Sequence, residues 1–450
     1  MARPSPVDYA VAAATTILYG ILGFYIERYD TIWLLTSYFV AFGLYLVVIA
    51  RTDPAQLNFW LTAAIVFRLL LTFSLPRLSD DFYRFIWDGH LMAGGYHPFA
   101  EVPSYYINHQ TAIPGISRDL YEHLNSPDYF TVYPPFAQFI FWLSVTIFPA
   151  SVYGSVVAMK LVVVASEIGS LYLMRSLLRR YHLPEQRLLL YALNPLVIVE
   201  LVGNIHLEAV MIFFLLLTIH FAAGSRYIQS GVALGFGVCA KLLPLIFLPA
   251  IVLKVNWRKS LILIIAMATC CLILFLPLWD PSIVLGFRDS LGYYFRKFEF
   301  NASIFYLVRS FGFWFYGYDI IQTAGWKLAL ISTALIMWIS AAGTIKKQST
   351  DQGALDPAIL SRFLAILMTY YLFATTIHPW YVTTLIAVSV FTPFRFPVVW
   401  TGTIFLTYIG YTEFDFQEPF TAVAVEYIVV VGYLAYEILW KRSHYSLRYS

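Results

Sequence analysis

Apolar runs close to twenty residues long recur about a dozen times along this chain, and they decide which solvent it folds in. They fall at residues 8–28, 31–50, 57–76, 154–178, 186–203, 207–224, 261–278, 324–345, 358–377, 379–393, 397–411 and 420–440. A helix needs roughly 20 apolar residues to cross the hydrocarbon core of a bilayer, and most of these runs qualify. The shorter ones require local thinning or interfacial help. Charged residues make up only 12% of the chain, about half of the ~25% found in soluble domains. Water is therefore not the only solvent. The expected fold is all-α and integral to the membrane, a polytopic helical bundle with about 12–13 transmembrane helices. A net charge of +3 is too small to point to nucleic acid. Cys239, Cys270 and Cys271 lie in apolar runs without metal-ligand spacing and read as core thiols. No small-residue cleavage site follows the first run, which reads as a retained helix.

Basic residues set the orientation. Arg175, Arg179, Arg180 and Arg187 cluster in one connection, Lys254, Arg258 and Lys259 in a second, and Lys346 and Lys347 in a third. Arg395, Lys441, Arg442 and Arg448 complete the set. Placing all of them in the cytoplasm gives an unbroken alternation with both termini inside. Two segments are exceptions. Residues 229–254 lie between two cytoplasmic connections and carry Lys241 and Pro244 near their middle, as expected of two half-helices meeting inside protein. Residues 133–149 begin Tyr133-Pro134-Pro135 and lie between outer regions, so they are expected to be interfacial or re-entrant; a full crossing there would move a neighbouring assignment.

The outer face then carries loops 77–132 and 279–303. The first is rich in acids and holds eleven aromatics, too many for a disordered tether, so it should fold onto the membrane, and its Pro, Gly and His punctuation suggests short amphipathic helices. Its densest chemistry is Ser79-Asp80-Asp81-Phe82-Tyr83-Arg84-Phe85-Ile86-Trp87-Asp88-Gly89-His90. In a helix, Asp81, Arg84, Phe85 and Asp88 share one face. Paired acids beside an arginine suit general base chemistry; the plainer alternative is that Asp80 and Asp81 cap the helix. Asn194, Glu200, Asn204, His206 and Glu208 lie along and beyond the fifth run, and Glu200, Asn204 and Glu208 would form a stripe if the helix continued. Ionisable groups so deep usually face a cavity or one another. His378-Pro379-Trp380-Tyr381 stands where two runs meet on the outer side. Arg288, Arg296, Lys297 and Arg309 make the second outer loop and its flank basic, against the usual loop bias, which suggests either an anionic ligand such as phosphate or a surface role. Lys160 and Glu167, in one run, read as a buried pair.

These residues also carry a resemblance. Ser79 to Gly89, followed by Gly95-Tyr96-His97-Pro98-Phe99, resembles the S-x-D-x-Y-R-Y-x-W-D-G…G-x-N-P-Y signature of bacterial mannosyltransferase-like membrane proteins of the GT-C superfamily. Tyr133-Pro134-Pro135-Phe136-Ala137-Gln138 is similar to their Y-P-P-x-x-Q element, and Leu193-Asn194-Pro195-Leu196, Glu200 and His206-Leu207-Glu208 to their N-P-L…E…H-x-D/E stretch. Gly231, Gly235, Lys241, Pro244 and His378 to Tyr381 follow in the expected order, so the likeness runs from about residue 60 to 385. His90 and His97 depart from it, standing where the family usually has Arg and Asn.

The resemblance implies a polyprenyl-phosphate sugar donor and an extracytoplasmic site in a bacterial inner membrane. It also implies one polytopic domain: N-terminal helices 1–76, catalytic loop 77–132, core 133–385 and C-terminal helices 386–450. The expected reaction moves a hexose, mannose in the first instance, to a hydroxyl of a lipid or glycan acceptor with inversion. Asp81, with Asp80 beside it, is the expected base. Arg84, Tyr83, Trp87, Asp88, Glu200, His206, Glu208 and Tyr381 are expected around the substrates, and Arg296, Lys297, Arg309 or His378 at the departing phosphate. No cofactor is expected. Asp80 and Asp81 with His90 or Glu208 are of a type that can hold a divalent ion, but the reaction does not require one. Two other readings are a transporter or lipid flippase, which should show internal repeats that the chain lacks, and a non-catalytic assembly subunit, in which Asp80 and Asp81 would be replaceable.

Overall fold

The computed structural model describes residues 4–342, except 285, 287, 289–291 and 293–297, and residues 357–446. Among the described residues there is no strand, only isolated bridges between Phe300 and Thr376 and between Tyr411 and Phe416. Among the described residues seven helices are long and apolar enough to span a bilayer, or eight if the bent pair Glu185–Ala192 and Val197–Gly203 counts as one span. Of six shorter apolar helical stretches among the described residues, three match the runs at 207–224, 358–377 and 397–411, and three lie in the exceptional segments around 133–149 and 229–254.

Helices α1 (Pro6–Phe24), α2 (Thr31–Arg51) and α3 (Leu57–Thr72) come first. Residues 77–132 follow as α4 (Asp81–Ala93), α5 (Pro103–Asn108) and α6 (Arg118–Glu122), the short helices expected of this loop. α7 (Pro135–Ile147) packs on α4: Phe85 stacks on Phe141 at 4.5 Å. Gly89 makes that approach possible, since a Cβ there would stand 2.6 Å from the Phe141 carbonyl oxygen. α8 (Val152–Arg180) is the longest helix among the described residues, and α9 (Leu189–Ala192) stops one residue before Asn194-Pro195. Proline cannot donate to the preceding turn, and the Asn194 side chain instead accepts from Leu196 N–H at 3.0 Å. The chain resumes as a π-helical segment, Val197–Gly203, bent by 56° from the one before.

The next connection corrects one expectation. The helix does not continue through Glu200, Asn204 and Glu208, because Ile205 takes a left-handed φ of 57° and α10 (Glu208–Ala223) starts afresh. A β-branched residue in that region is strained, and Ile205 is fully buried among the neighbours that hold it there. α11 (Tyr227–Ala240) ends at an extended Lys241, followed by the 3₁₀ turn Leu243–Phe247 and α12 (Leu248–Val252), so the segment is broken where Lys241 and Pro244 predicted. α13 (Trp257–Phe275) lies against α11, with Gly231 and Gly235 letting the backbones approach. α14 (Ile304–Tyr316), which no apolar run announced, ends on Gly317 in the left-handed region. α15 (Ile321–Ala341), α16 (Ala358–Phe373), α17 (Val382–Ser389), α18 (Phe396–Thr403) and α19 (Phe420–Ser446) complete the chain.

Buried charge sits deep in this bundle, and not as the sequence suggested. Lys160 and Glu167 are both fully buried but do not meet. Glu167 pairs with Arg68 at 2.9 Å and accepts from Tyr191 at 2.5 Å. Lys160 donates to the carbonyls of Leu71 (2.8 Å) and Ser74 (2.6 Å), satisfying the end of α3.

Candidate active site

The connection leaving α3 is fixed from behind. Asn204 Oδ1 accepts from the backbone N–H of Arg77 at 3.2 Å and of Leu78 at 3.0 Å. Asp80 then occupies the N-cap position of α4, but its carboxylate makes no capping hydrogen bond. It pairs with Arg28 at 2.6 Å, and that guanidinium lies 5.2 Å from the centre of the Tyr411 ring. Asp81 accepts from Asn125 Nδ2 at 2.7 Å. The capping reading therefore fails for Asp80, and each acid has a partner from a distant loop.

One turn on, Arg84 Nε bonds Asp88 at 2.9 Å while its Nη1 donates to the carbonyls of Ser126 (3.0 Å) and Tyr129 (2.8 Å). Gln138 donates to Asp88 at 3.1 Å. Arg84 and Asp88 thus clamp the segment that carries Asn125. Tyr83 packs on Phe82 and His123, and Trp87 is buried beside Tyr121; neither lines the cavity described below. His90 lies against Gly115, far from forming an ion site with Asp81. Among the described residues no three His, Cys, Asp or Glu side chains are grouped to hold a metal.

A second set of residues faces Asp81. The His206 ring stacks on Trp380 at 3.7 Å, and Trp380 stacks on His378 at 4.4 Å. Phe300 covers His378 at 4.6 Å. Glu200 approaches His206 at 3.4 Å and accepts from Tyr408 at 2.7 Å, behind the cavity wall. Glu208 pairs with Lys241, whose ammonium lies 4.5 Å from the Tyr381 ring centre. Arg309 is held off the cavity by Asp319 (2.9 Å) and Glu299 (3.1 Å). Arg296 and Lys297 lie outside the described residues.

These groups line one cavity of about 1180 Å³. Its polar part holds Arg28, Asp80, Asp81, Arg84, Asn125, His206, Glu208, Lys241, His378 and Tyr381. Its apolar part runs along Leu242, Leu243 and Ile246 opposite one face of α15: Gly325, Ala329, Ser332, Thr333 and Ile336. At 1.5 Å per residue, that face descends roughly 16 Å into the bundle. Of the lining residues, Asn125, Arg28 and Tyr411 were not expected from the sequence, while Trp380 and Lys241 were singled out there without a role. Arg28, a basic residue in the short connection between α1 and α2, was the available signal.

Burial raises the Asp81 carboxyl above the ordinary aspartate value, with the Asn125 hydrogen bond and the Lys241 charge pulling it back. Burial and Lys241 hold the His378 imidazole at about 3, so it is neutral at physiological pH. Asn125 donates to the charged form of Asp81, so removing it raises the carboxyl further. Asn125→Ala should therefore move the acidic limb of the rate profile to higher pH while the alkaline side stays in place. An acidic limb unchanged in this variant would disconnect Asp81 from the titration that governs the rate.

Residues 13–256 match the family model of the MptA_B family, described as alpha-(1->6)-mannopyranosyltransferase, N-terminal domain. No curated protein matches the chain. The match covers more than half of the sequence and includes Asp80, Asp81, Asn125, His206, Glu208 and Lys241. The chain belongs to the MptA_B family, and it is a membrane mannosyltransferase.

Proposed function

We propose that the protein moves mannose from a polyprenyl-phosphate donor to a hydroxyl of a lipid-linked or glycan acceptor, on the outer face of a bacterial inner membrane. The carrying observation is the shape of the cavity, which joins the partly buried Asp81 to an apolar channel beside α15. A nucleotide sugar has no use for that channel, whereas a prenyl chain fills it. Asp81 takes the acceptor's hydroxyl proton while the acceptor oxygen bonds to the anomeric carbon. The bond from that carbon to the phosphate oxygen breaks, and its electron pair leaves with the phosphate. A phosphodiester monoanion thereby becomes a phosphomonoester carrying one more negative charge. One base and no covalent intermediate make this an inverting displacement. An alpha product, as in the family's description, then requires a β-linked donor.

The stereochemistry is the direct test of this mechanism. With β-linked polyprenyl-phosphate mannose, nuclear magnetic resonance of the product should show an α bond, through a 6-hydroxyl if the family's linkage holds. A β bond would overturn inversion.

The orientation has its own test. In a background without the three native cysteines, Glu413→Cys should react with a membrane-impermeant thiol reagent in intact cells. His182→Cys, at the opposite end of the helices, should react only after the membrane is opened. The reverse pattern would move the site to the cytoplasmic face.

A further inference from the structure

In a polyprenyl-phosphate sugar the phosphate stands between the tail and the sugar, so its binding group belongs where the cavity turns from apolar to polar. Lys241 is at that junction. Leu242, Leu243 and Ile246, immediately after it, line the apolar channel, while Glu208, His206 and His378 line the chamber on its other side. The helix break makes this placement: α11 ends at Ala240, and Lys241 is extended, with φ −159° and ψ 136°. Glu208 is the ammonium's one hydrogen-bond partner among the described residues, which leaves two of its three donors for a ligand. The Lys241 side chain keeps 29% of its surface exposed, whereas Glu208 keeps 2%. His378 Nδ1, on the same chamber wall, is buried and has no partner among the described residues.

The other described cations are placed less well. Arg28 is engaged by Asp80 on the Asp81 side, and Arg309 is held by two carboxylates off the cavity. Arg288 lines the cavity but is exposed on the outer loop. Resting on the lipid-phosphate donor reading above, we propose that Lys241 binds the donor phosphate and takes up the charge it gains on leaving, exchanging Glu208 for the phosphate as it does so. Glu208 is then the counter-ion that keeps Lys241 from standing unpaired before the donor binds.

This exchange predicts opposite effects from the two partners. The full-length purified protein is titrated with farnesyl phosphate, and with farnesol as the uncharged control. Lys241→Met should weaken farnesyl phosphate binding on the order of 10- to 100-fold, the worth of a charge-assisted hydrogen bond, and leave farnesol unchanged. Glu208→Gln should tighten farnesyl phosphate binding, because Lys241 no longer has a competing carboxylate. The double variant Lys241→Met/Glu208→Gln leaves no orphaned buried charge. It should bind farnesyl phosphate as weakly as Lys241→Met, which keeps the test open if the single variant fails to fold. Unchanged binding in the Lys241 variants, or weakening in Glu208→Gln equal to that in Lys241→Met, would make the pair merely structural and overturn the assignment. Equal affinity of the unaltered protein for farnesyl phosphate and farnesol would instead remove the lipid-phosphate donor, and the role of Lys241 with it.

Discussion

Asp81→Asn is expected to lower turnover ~10²–10⁴-fold, the usual worth of general base catalysis, while donor binding survives. The substitution preserves the side chain's shape but removes its ability to take a proton. Its carbonyl oxygen can still accept from Asn125, which bonds the carboxylate at 2.7 Å, so the loop should keep its place. Asp80→Asn is the comparison. Asp80 is turned toward Arg28, and its loss should loosen a contact between the α1–α2 connection and the start of α4 without removing a base. A large rate loss at Asp80 with retention at Asp81 would exchange their roles. Retention in both would end the proposal that either acid is catalytic. Thermal unfolding of each variant separates a chemical loss from a folding one.

The second large effect is on stability and lies well away from the cavity. Arg68 and Glu167 have no exposed side-chain surface, and Arg68 also donates to the Ala192 carbonyl at 2.7 Å, tying α3 and α8 to the end of α9. Arg68→Leu leaves the Glu167 carboxylate buried with only Tyr191 as partner. Removing one member of a buried ion pair typically costs about 3–5 kcal/mol, because the remaining charge is uncompensated. The single variant should unfold at markedly lower temperature in detergent. Arg68→Leu/Glu167→Met should recover most of the loss, since a buried pair replaced by apolar groups is often neutral. If the double variant is no better than the single one, the hydrogen bond to Ala192, rather than the charge balance, holds these helices together.

Much of the bundle was legible because hydrophobic length and loop charge are local properties. The run at 154–178 became α8 at 152–180, and the run at 420–440 became α19. The break at Lys241 was also readable, because a lysine and a proline in an apolar stretch forbid an ordinary span. What could not be read was partnership. Glu167 lies seven residues from Lys160 on one helix, yet its partner comes from α3, and nothing in their spacing announces Arg68. Glu200 and Glu208 looked like one stripe because the sequence does not show that Ile205 takes a left-handed turn between them. Asp81 was found from its neighbours in sequence, but Asn125, which tunes it, arrives from a loop 44 residues away whose position depends on the Arg84 and Asp88 clamp. α14 escaped notice because Arg309 interrupts its apolar pattern, and its conformation rests on Asp319, Glu299 and the glycine that ends it.

The chemistry proposed here depends above all on the identity of the donor. The most direct measurement gives the purified protein radiolabelled mannose on a β-linked polyprenyl phosphate, or on a guanosine diphosphate carrier, together with an α-mannoside acceptor. Transfer is expected from the lipid carrier alone, abolished or nearly so by Asp81→Asn. Transfer from the nucleotide carrier, or lipid-dependent transfer that Asp81→Asn leaves intact, would contradict it.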